Sequence, residues 1–162
     1  MAAGVSMKEE NVGAFRSAIN HECELTDDDF MPKIKIDIAM PADYPTAALV
    51  RELALLEPFG KSNVKPQFAD RNLAVVRAAV VGKNRNVLKL QLQTERGTRV
   101  EAVYFGDVEL WKMYYSEKYG EKEVLAALHG QGNSIRMSVV YYPEINDYQG
   151  MESIQLVIRN YK

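Results

Sequence analysis

The tract Val87–Gln93, VLKLQLQ, alternates apolar and polar residues without a break. Side chains alternate along a strand with period two, so Leu88, Leu90 and Leu92 share one face and Lys89, Gln91 and Gln93 the other. That pattern demands a strand with one buried face; a helix would repeat its apolar residues at three and four. The surrounding chain carries related signals. NLAVVRAAVVG precedes it as a strand, across a turn at Gly82–Asn86. ERGT forms the next turn, and RVEAVYFG reads as a third strand of ambiguous sidedness. There Val100, Ala102 and Tyr104 compete with Val103 and Phe105 for the interior; the core is favoured for Phe105 and the choice for Tyr104 stays open. Asp107 to about His129 is helical in composition, with a break expected at Gly120. After the loop GQGN, SIRMSVVYY and ESIQLVIRN are two more strands joined through the hairpin-like NDYQG.

From Phe68 onward the order is therefore β-β-β-α-β-β. Five strands with a helix between the third and fourth match an OB-fold-like barrel, small and partly open. A small sandwich with an inserted helix is the competing architecture. With a helical and strand segment in front, the expected class is α+β. In that segment SMKEENVGAFRSAIN opens with Ser6 and has Glu9 three residues on, a capping-box pattern. Val12, Phe15, Ala18 and Ile19 follow on one helical face, an apolar face that needs a partner. Thr26 and the acids after it suit a short helix start. KIKIDIAM sets Ile34, Ile36 and Ile38 against Lys33, Lys35 and Asp37, the pattern of a half-buried strand. Pro45 suits the first turn of a helix carrying Leu49, Leu53 and Leu56, which Pro58 ends.

The chain is 162 residues long, with 47% apolar and 26% charged residues, as expected of one globular domain or a domain with an appendage. Its single cysteine, Cys23, allows no internal disulfide and suits a reducing compartment. No apolar run approaches the roughly 20 residues of a membrane span, and no basic leader precedes a hydrophobic segment. A cytoplasmic location without membrane contact is expected. Catalytic and metal motifs are missing. His21 and His129 stand apart, and Asp27-Asp28-Asp29 lacks the spacing and glycine of a calcium loop. Neither glycine-rich phosphate motif occurs. No catalytic residue, metal ligand or cofactor is assigned to this chain.

Charge distribution points to binding instead. The net charge is −2, yet Arg71–Arg99 holds seven basic residues and one acid, Glu95, a local balance of +6. Such a segment attracts a polyanion that the rest of the chain repels. Barrels of this kind hold single-stranded nucleic acid with cations for phosphates and flat side chains for bases. The candidates are Lys89, Gln91 and Gln93 on the second strand and Arg99 with Tyr104 or Phe105 on the third. Lys83 and Arg85 add cations from the turn. Arg136, Tyr141 or Tyr142, Tyr148 and Arg159 rank behind them. For each aromatic the alternative is core packing. A protein-interaction module that binds no nucleic acid is the competing functional class, since these folds also take peptides.

Four stretches resemble one family. LLEPFGKSNVKPQF, Leu55–Phe68, resembles the joint leading into the OB-fold of the RecJ family of single-stranded-DNA-specific exonucleases, where a Pro-Phe-Gly-x-x-Asn loop follows a Leu-rich helix. Ala2–Gly4, with the helix through Phe15 and Asn20, resembles the tail of that family's DHH-associated domain, whose motif reads Gly-His-x-x-Ala-Ala-Gly. VVGKNRNVLKLQL resembles the first hairpin and INDYQGMESIQLVI the last. The resemblance covers nearly the whole chain apart from roughly Met113 to Asn133. It implies a truncated DHH-associated tail at 1–22, a connecting segment with the Pro-Phe-Gly loop at 23–67 and an OB-fold domain at 68–162. It implies a C-terminal piece of a 5′-to-3′ exonuclease that uses manganese or magnesium in recombination and repair. Its partners would be single-stranded DNA and the upstream catalytic and DHH-associated domains. On this reading the joint is a rigid elbow: Gly60 and Asn63 permit a sharp reversal, and Phe59 and Phe68 plug apolar surface. The departures are the missing Gly-His half-motif, the missing metal-binding aspartates and histidines, Val64 in place of a common proline, and the long helical region SEKYGEKEVLAALHG.

Overall fold

The computed structural model describes residues 4–30, 33–148 and 150–162; the side chains of Asp27, Asp28 and Tyr148 lie outside that description. Ala2 and Ala3 of the Ala-Ala-Gly stretch lie outside it too. The chain falls into two compact units, Met1–Ile34 and Lys35–Lys162. That division lies between the boundaries expected at 22/23 and 67/68.

In the first unit a 3-10 turn, Glu9–Asn11, leads into α1, Val12–Glu22. The expected capping box does not form. Lys8 is extended, with φ −70° and ψ 144°, so helical geometry cannot reach back to Ser6. No residue of α1 is buried. A short α2, Asp27–Phe30, follows. Thr26 supports it by donating from its amide (2.8 Å) and its hydroxyl (3.0 Å) to Asp29 Oδ2.

In the second unit six strands form one sheet: β1 (Ile38–Ala39), β2 (Phe68–Val81), β3 (Val87–Gln93), β4 (Arg99–Tyr104), β5 (Arg136–Tyr148) and β6 (Met151–Tyr161). Their order is β1-β2-β3-β4-β6-β5, and an additional β2–β5 pairing closes β2 to β6 into a ring. The sheet thus counts one strand in front of the five that lie from Phe68 onward. The extra strand is what remains of KIKIDIAM: only Ile38 and Ala39 pair, in parallel with Phe68 and Ala69. The isoleucine face expected to be half-buried is exposed at Ile34, Ile36 and Ile38. Alternation reports a strand's local preference, whereas burial needs a layer against that face.

Besides its short pairing with β1, β2 serves two longer ladders. Its later residues pair with β3 and its earlier ones with β5, and Ala74 pairs with both Gln93 and Arg136. Register shifts at Asp70/Leu73 and Val75/Arg77 let the strand bend between these ladders. Leu88, Leu90 and Leu92 are fully buried inside the ring, as their alternation requires. Each contributes on the order of 1.5–3 kcal/mol by leaving water.

Between β4 and β5 lie α4 (Val108–Tyr119) and α5 (Glu121–Leu128), parted at Gly120, whose φ of +96° ends the first helix. Asp107 caps α4 by accepting from the amides of Glu109 (2.9 Å) and Leu110 (3.2 Å). These helices give the long segment its role. Val108, Trp111, Tyr115, Val124 and Ala127 join the same buried cluster as the inward strand residues. The Tyr115 ring lies 5.0 Å from Trp111 and 5.8 Å from Tyr161.

Helix α3 (Ala47–Ala54) has Thr46 as its cap, accepting from the Leu49 amide at 3.2 Å. It ends before Pro58 is reached; Leu55 and Leu56 already form a turn. The elbow after it is held by hydrogen bonds rather than by glycine freedom. Gly60 and Asn63 exchange backbone bonds of 2.8 and 3.2 Å. The Asn63 side chain donates to the carbonyls of Leu56 (2.7 Å) and Pro58 (3.1 Å). Phe59 and Phe68 both meet the Tyr142 ring, at 6.2 and 6.5 Å.

Candidate nucleic-acid interface

Register fixes which side chains share the outer surface of the ring. Leu88, Leu90 and Leu92 of β3 stand opposite Tyr104, Ala102 and Val100 of β4, and paired residues face the same way. Val100, Ala102 and Tyr104 are therefore inward, and Arg99, Glu101 and Val103 outward beside Gln93, Gln91 and Lys89. The same logic extends across β2, where Arg77 stands opposite Gln91 and Ala79 opposite Lys89.

Two cross-strand rows result. One runs Arg136, Ala74, Gln93, Arg99 over β5, β2, β3 and β4. The other runs Arg77, Gln91, Glu101 and on to Gln155 of β6. Arg77, Lys89, Arg99 and Arg136 are exposed, so the cationic side of the sheet is not buried beneath the helices. A shallow concavity of about 340 Å³ lies among Arg77, Ala79, Lys89, Gln91 and Glu101.

Electrostatically the cations differ. Lys89 sits 3.6 Å from Glu101, which also accepts from Gln91 at 3.1 Å. Glu101 thus neutralises part of the positive charge of that row. Arg77 and Arg99 have no carboxylate within 4.0 Å among the described residues. The Arg77 stem lies beside Gly130, where a Cβ would meet its Cδ at 3.5 Å. Gln93 donates to the Gly97 carbonyl at 3.0 Å, which tethers it to the β3–β4 turn. Lys83 and Arg85 are exposed in the turn between β2 and β3, which closes through a 3.0 Å bond from the Arg85 amide to the Gly82 carbonyl.

The aromatic candidates fall out differently. Tyr104 is a correction: it lies on the inner face, edge-on to Tyr161 at 5.2 Å, because its strand partner is the inward Leu88. A Cβ at Gly106 would collide with its ring, so only glycine leaves it room there. Burial, with Tyr104 alongside, pushes the Tyr161 hydroxyl up to about 12. Phe105, expected in the core, is 65% exposed. It lies just past the end of β4, beyond the last residue whose partner fixes its side. Tyr141 and Tyr142 are buried. The Tyr141 hydroxyl donates to the carbonyls of Met40 (2.9 Å) and Pro41 (3.2 Å), and burial raises its pKa well above the ordinary tyrosine value. Arg159 is exposed on β6. The backbone of Tyr148 pairs with Met151, and its side chain lies outside the described residues.

The structure brings together Lys89, Gln91, Gln93 and Arg99, with Arg136 at the end of one row and Lys83 and Arg85 on the adjoining turn. Sequence reasoning missed Arg77 as an outward neighbour of Gln91, although it was counted in the basic run. It also missed Glu101 as the counter-charge of Lys89. Only the strand register could have revealed either. The described residues do not fit a metal: among them no group of three or more His, Cys, Asp or Glu side chains converges to hold one. No helix among them is long and apolar enough to cross a membrane.

Comparison with known proteins adds to this geometry. A family model described as the RecJ OB domain matches residues 36–160. The single-stranded-DNA-specific exonuclease RecJ of Bacillus subtilis (strain 168) is 26% identical over 162 residues, covering 99% of this chain and 18% of that protein. Among solved structures, RecJ of Thermus thermophilus in complex with Mn2+ is similar with a TM-score of 0.56 and 18% identity, over 97% of this chain and 20% of that one. The same protein with Mg2+ gives 0.54 and 18%, over 97% and 21%. The chain thus spans about a fifth of the length of the relatives it matches.

Proposed function

We propose a function from one premise: this chain belongs to the RecJ OB-domain family. In this reading the ring of β2 to β6 is an OB-type barrel that binds single-stranded DNA. It does so as one region of a longer RecJ-like 5′-to-3′ exonuclease. It holds the strand for a manganese- or magnesium-dependent catalytic domain carried by further chain, alongside a DHH-associated domain. The setting is DNA repair and recombination in the cytoplasm.

The observation that carries this reading is the outward row Arg136–Ala74–Gln93–Arg99, with a cation at each end and an amide between. Single-strand binding by such sheets combines cations along the backbone with flat side chains under the bases. Arg77 and Arg99 are free to take phosphates, whereas Lys89 must first loosen from Glu101. Phe105 supplies an exposed ring just past the end of β4.

Fluorescence anisotropy with a labelled oligothymidine tests the proposal. Contact with about four phosphates gives a slope of log affinity against log salt of roughly −3. Replacing Lys89 and Arg99 together by alanine weakens binding to single strands of any sequence. Unchanged affinity in that variant removes the face from consideration. A salt-independent response favours the protein-interaction module instead.

A further inference from the structure

A second cationic surface lies outside the sheet rows. Arg71 and Asn72 from the β2 register shift, Lys118 and Tyr119 from the end of α4, Arg136 from the start of β5, and Lys162 line a concavity of about 220 Å³. These residues come from four separate stretches of chain, and the fold alone assembles them. Among the described residues no carboxylate lies within 4.0 Å of any of the four cations, whereas Arg51, Lys65, Lys89 and Lys112 each have one. Two carboxylates stand close by without pairing with a cation, and they keep their charge and weaken the positive potential on the Arg71 side. Asp70 accepts from the amides of Ala42 and Arg71, both at 2.8 Å, and Glu95 accepts from the Asn72 side chain at 2.6 Å.

The lining is also held in place. Arg136 Nη1 donates to the Asn72 carbonyl at 3.3 Å, which leans the guanidinium over the β2 bend. Asn72 has a φ of +61°, a left-handed conformation that turns the backbone sharply at this point. The Tyr119 hydroxyl donates to the Arg136 carbonyl at 3.1 Å and ties the helix end to β5. The Lys118 ammonium lies 5.6 Å from the Tyr114 ring centroid and 5.5 Å from that of Tyr119. The helix dipole favours a cation at the position of Lys118 but does not account for Arg71 and Arg136 converging on it. Like charges gathered with no carboxylate within 4.0 Å repel one another, and an anion relieves that repulsion.

We infer that the concavity of Arg71, Lys118 and Arg136 binds a backbone phosphate of the same single strand, one station beyond the sheet face. The inference rests on the proposed reading of that face, and Arg136 belongs to both surfaces. Guanidinium groups suit the task because their donors match phosphate oxygens in pairs. Sheet face and concavity then form one continuous track, and a strand must be long enough to reach both.

The test compares the full chain with Arg71→Gln/Lys118→Gln and with Lys89→Gln/Arg99→Gln. Each is titrated with a short oligothymidine of about 5 nucleotides and a long one of about 15, near the two ends of the usual range for one such domain. Circular dichroism melts confirm that each variant folds; the substituted side chains are all exposed. Arg71→Gln/Lys118→Gln is expected to lose about tenfold in affinity for the long strand and to flatten its salt slope by about 0.7, the share of one phosphate, with the short strand unaffected. Lys89→Gln/Arg99→Gln is expected to weaken both. If Arg71→Gln/Lys118→Gln binds the long strand with the parent's affinity and slope, the inference fails and the sheet-face reading stands. If the parent chain binds neither length, both fall together.

Discussion

Two helices of this chain invite comparison. α1 carries the cleaner apolar stripe, Val12, Phe15, Ala18 and Ile19, and none of its residues is buried. α4 mixes Glu109, Lys112, Glu117 and Lys118 with a narrow line of Val108, Trp111 and Tyr115, and those three are buried. A stripe therefore identifies the face a helix would bury, while the fold decides whether anything meets it. α4 is returned to the ring interior by the strands on either side of it, and tertiary packing rather than intrinsic propensity stabilises such a helix.

The contrast can be broken by mutation, beginning where the effect is largest. Trp111→Ala is expected to cost about 3–5 kcal/mol in urea unfolding, the usual loss for a large buried aromatic. A cost below about 1 kcal/mol would show that α4 is not part of the core. Trp111→Phe should be much milder, because the indole N–H is buried with no acceptor among the described residues and its removal relieves a desolvation penalty. Asp107→Ala removes the cap of α4 and should cost about 1 kcal/mol. Phe15→Ala on α1 should stay within about 0.5 kcal/mol of the parent, as for other exposed positions. A loss above about 2 kcal/mol there would mean that the stripe has a partner after all.

What was legible in the sequence divides along similar lines. The alternation of Val87–Gln93, the turns around it and the helical stretch before β5 are local signals, and each appears in place. Lys89, Gln91 and Gln93 were readable as outward for the same reason. The end of β4 was not readable in this way, because Val103 and Phe105 compete there with Ala102 and Tyr104; only the pairing of Leu88 with Tyr104 shows Tyr104 to be inside, and Phe105 is exposed. Glu101 beside Lys89 is likewise a fact of register. The convergence of Arg71, Lys118 and Arg136 spans most of the second unit in sequence, so no window of residues contains it. KIKIDIAM failed in the opposite sense: its period was correct for a strand, but the fold supplies only two residues of pairing.

Ala74 hydrogen-bonds in ladders on both sides, toward Gln93 and toward Arg136. β2 is consequently the common wall of two seams, and prying at one pulls on the other. On that ground the ring is expected to open as a unit rather than strand by strand. Until it does, Arg136 and Arg99 stand at the two ends of one unbroken row of paired residues, with β2 as its hinge pin.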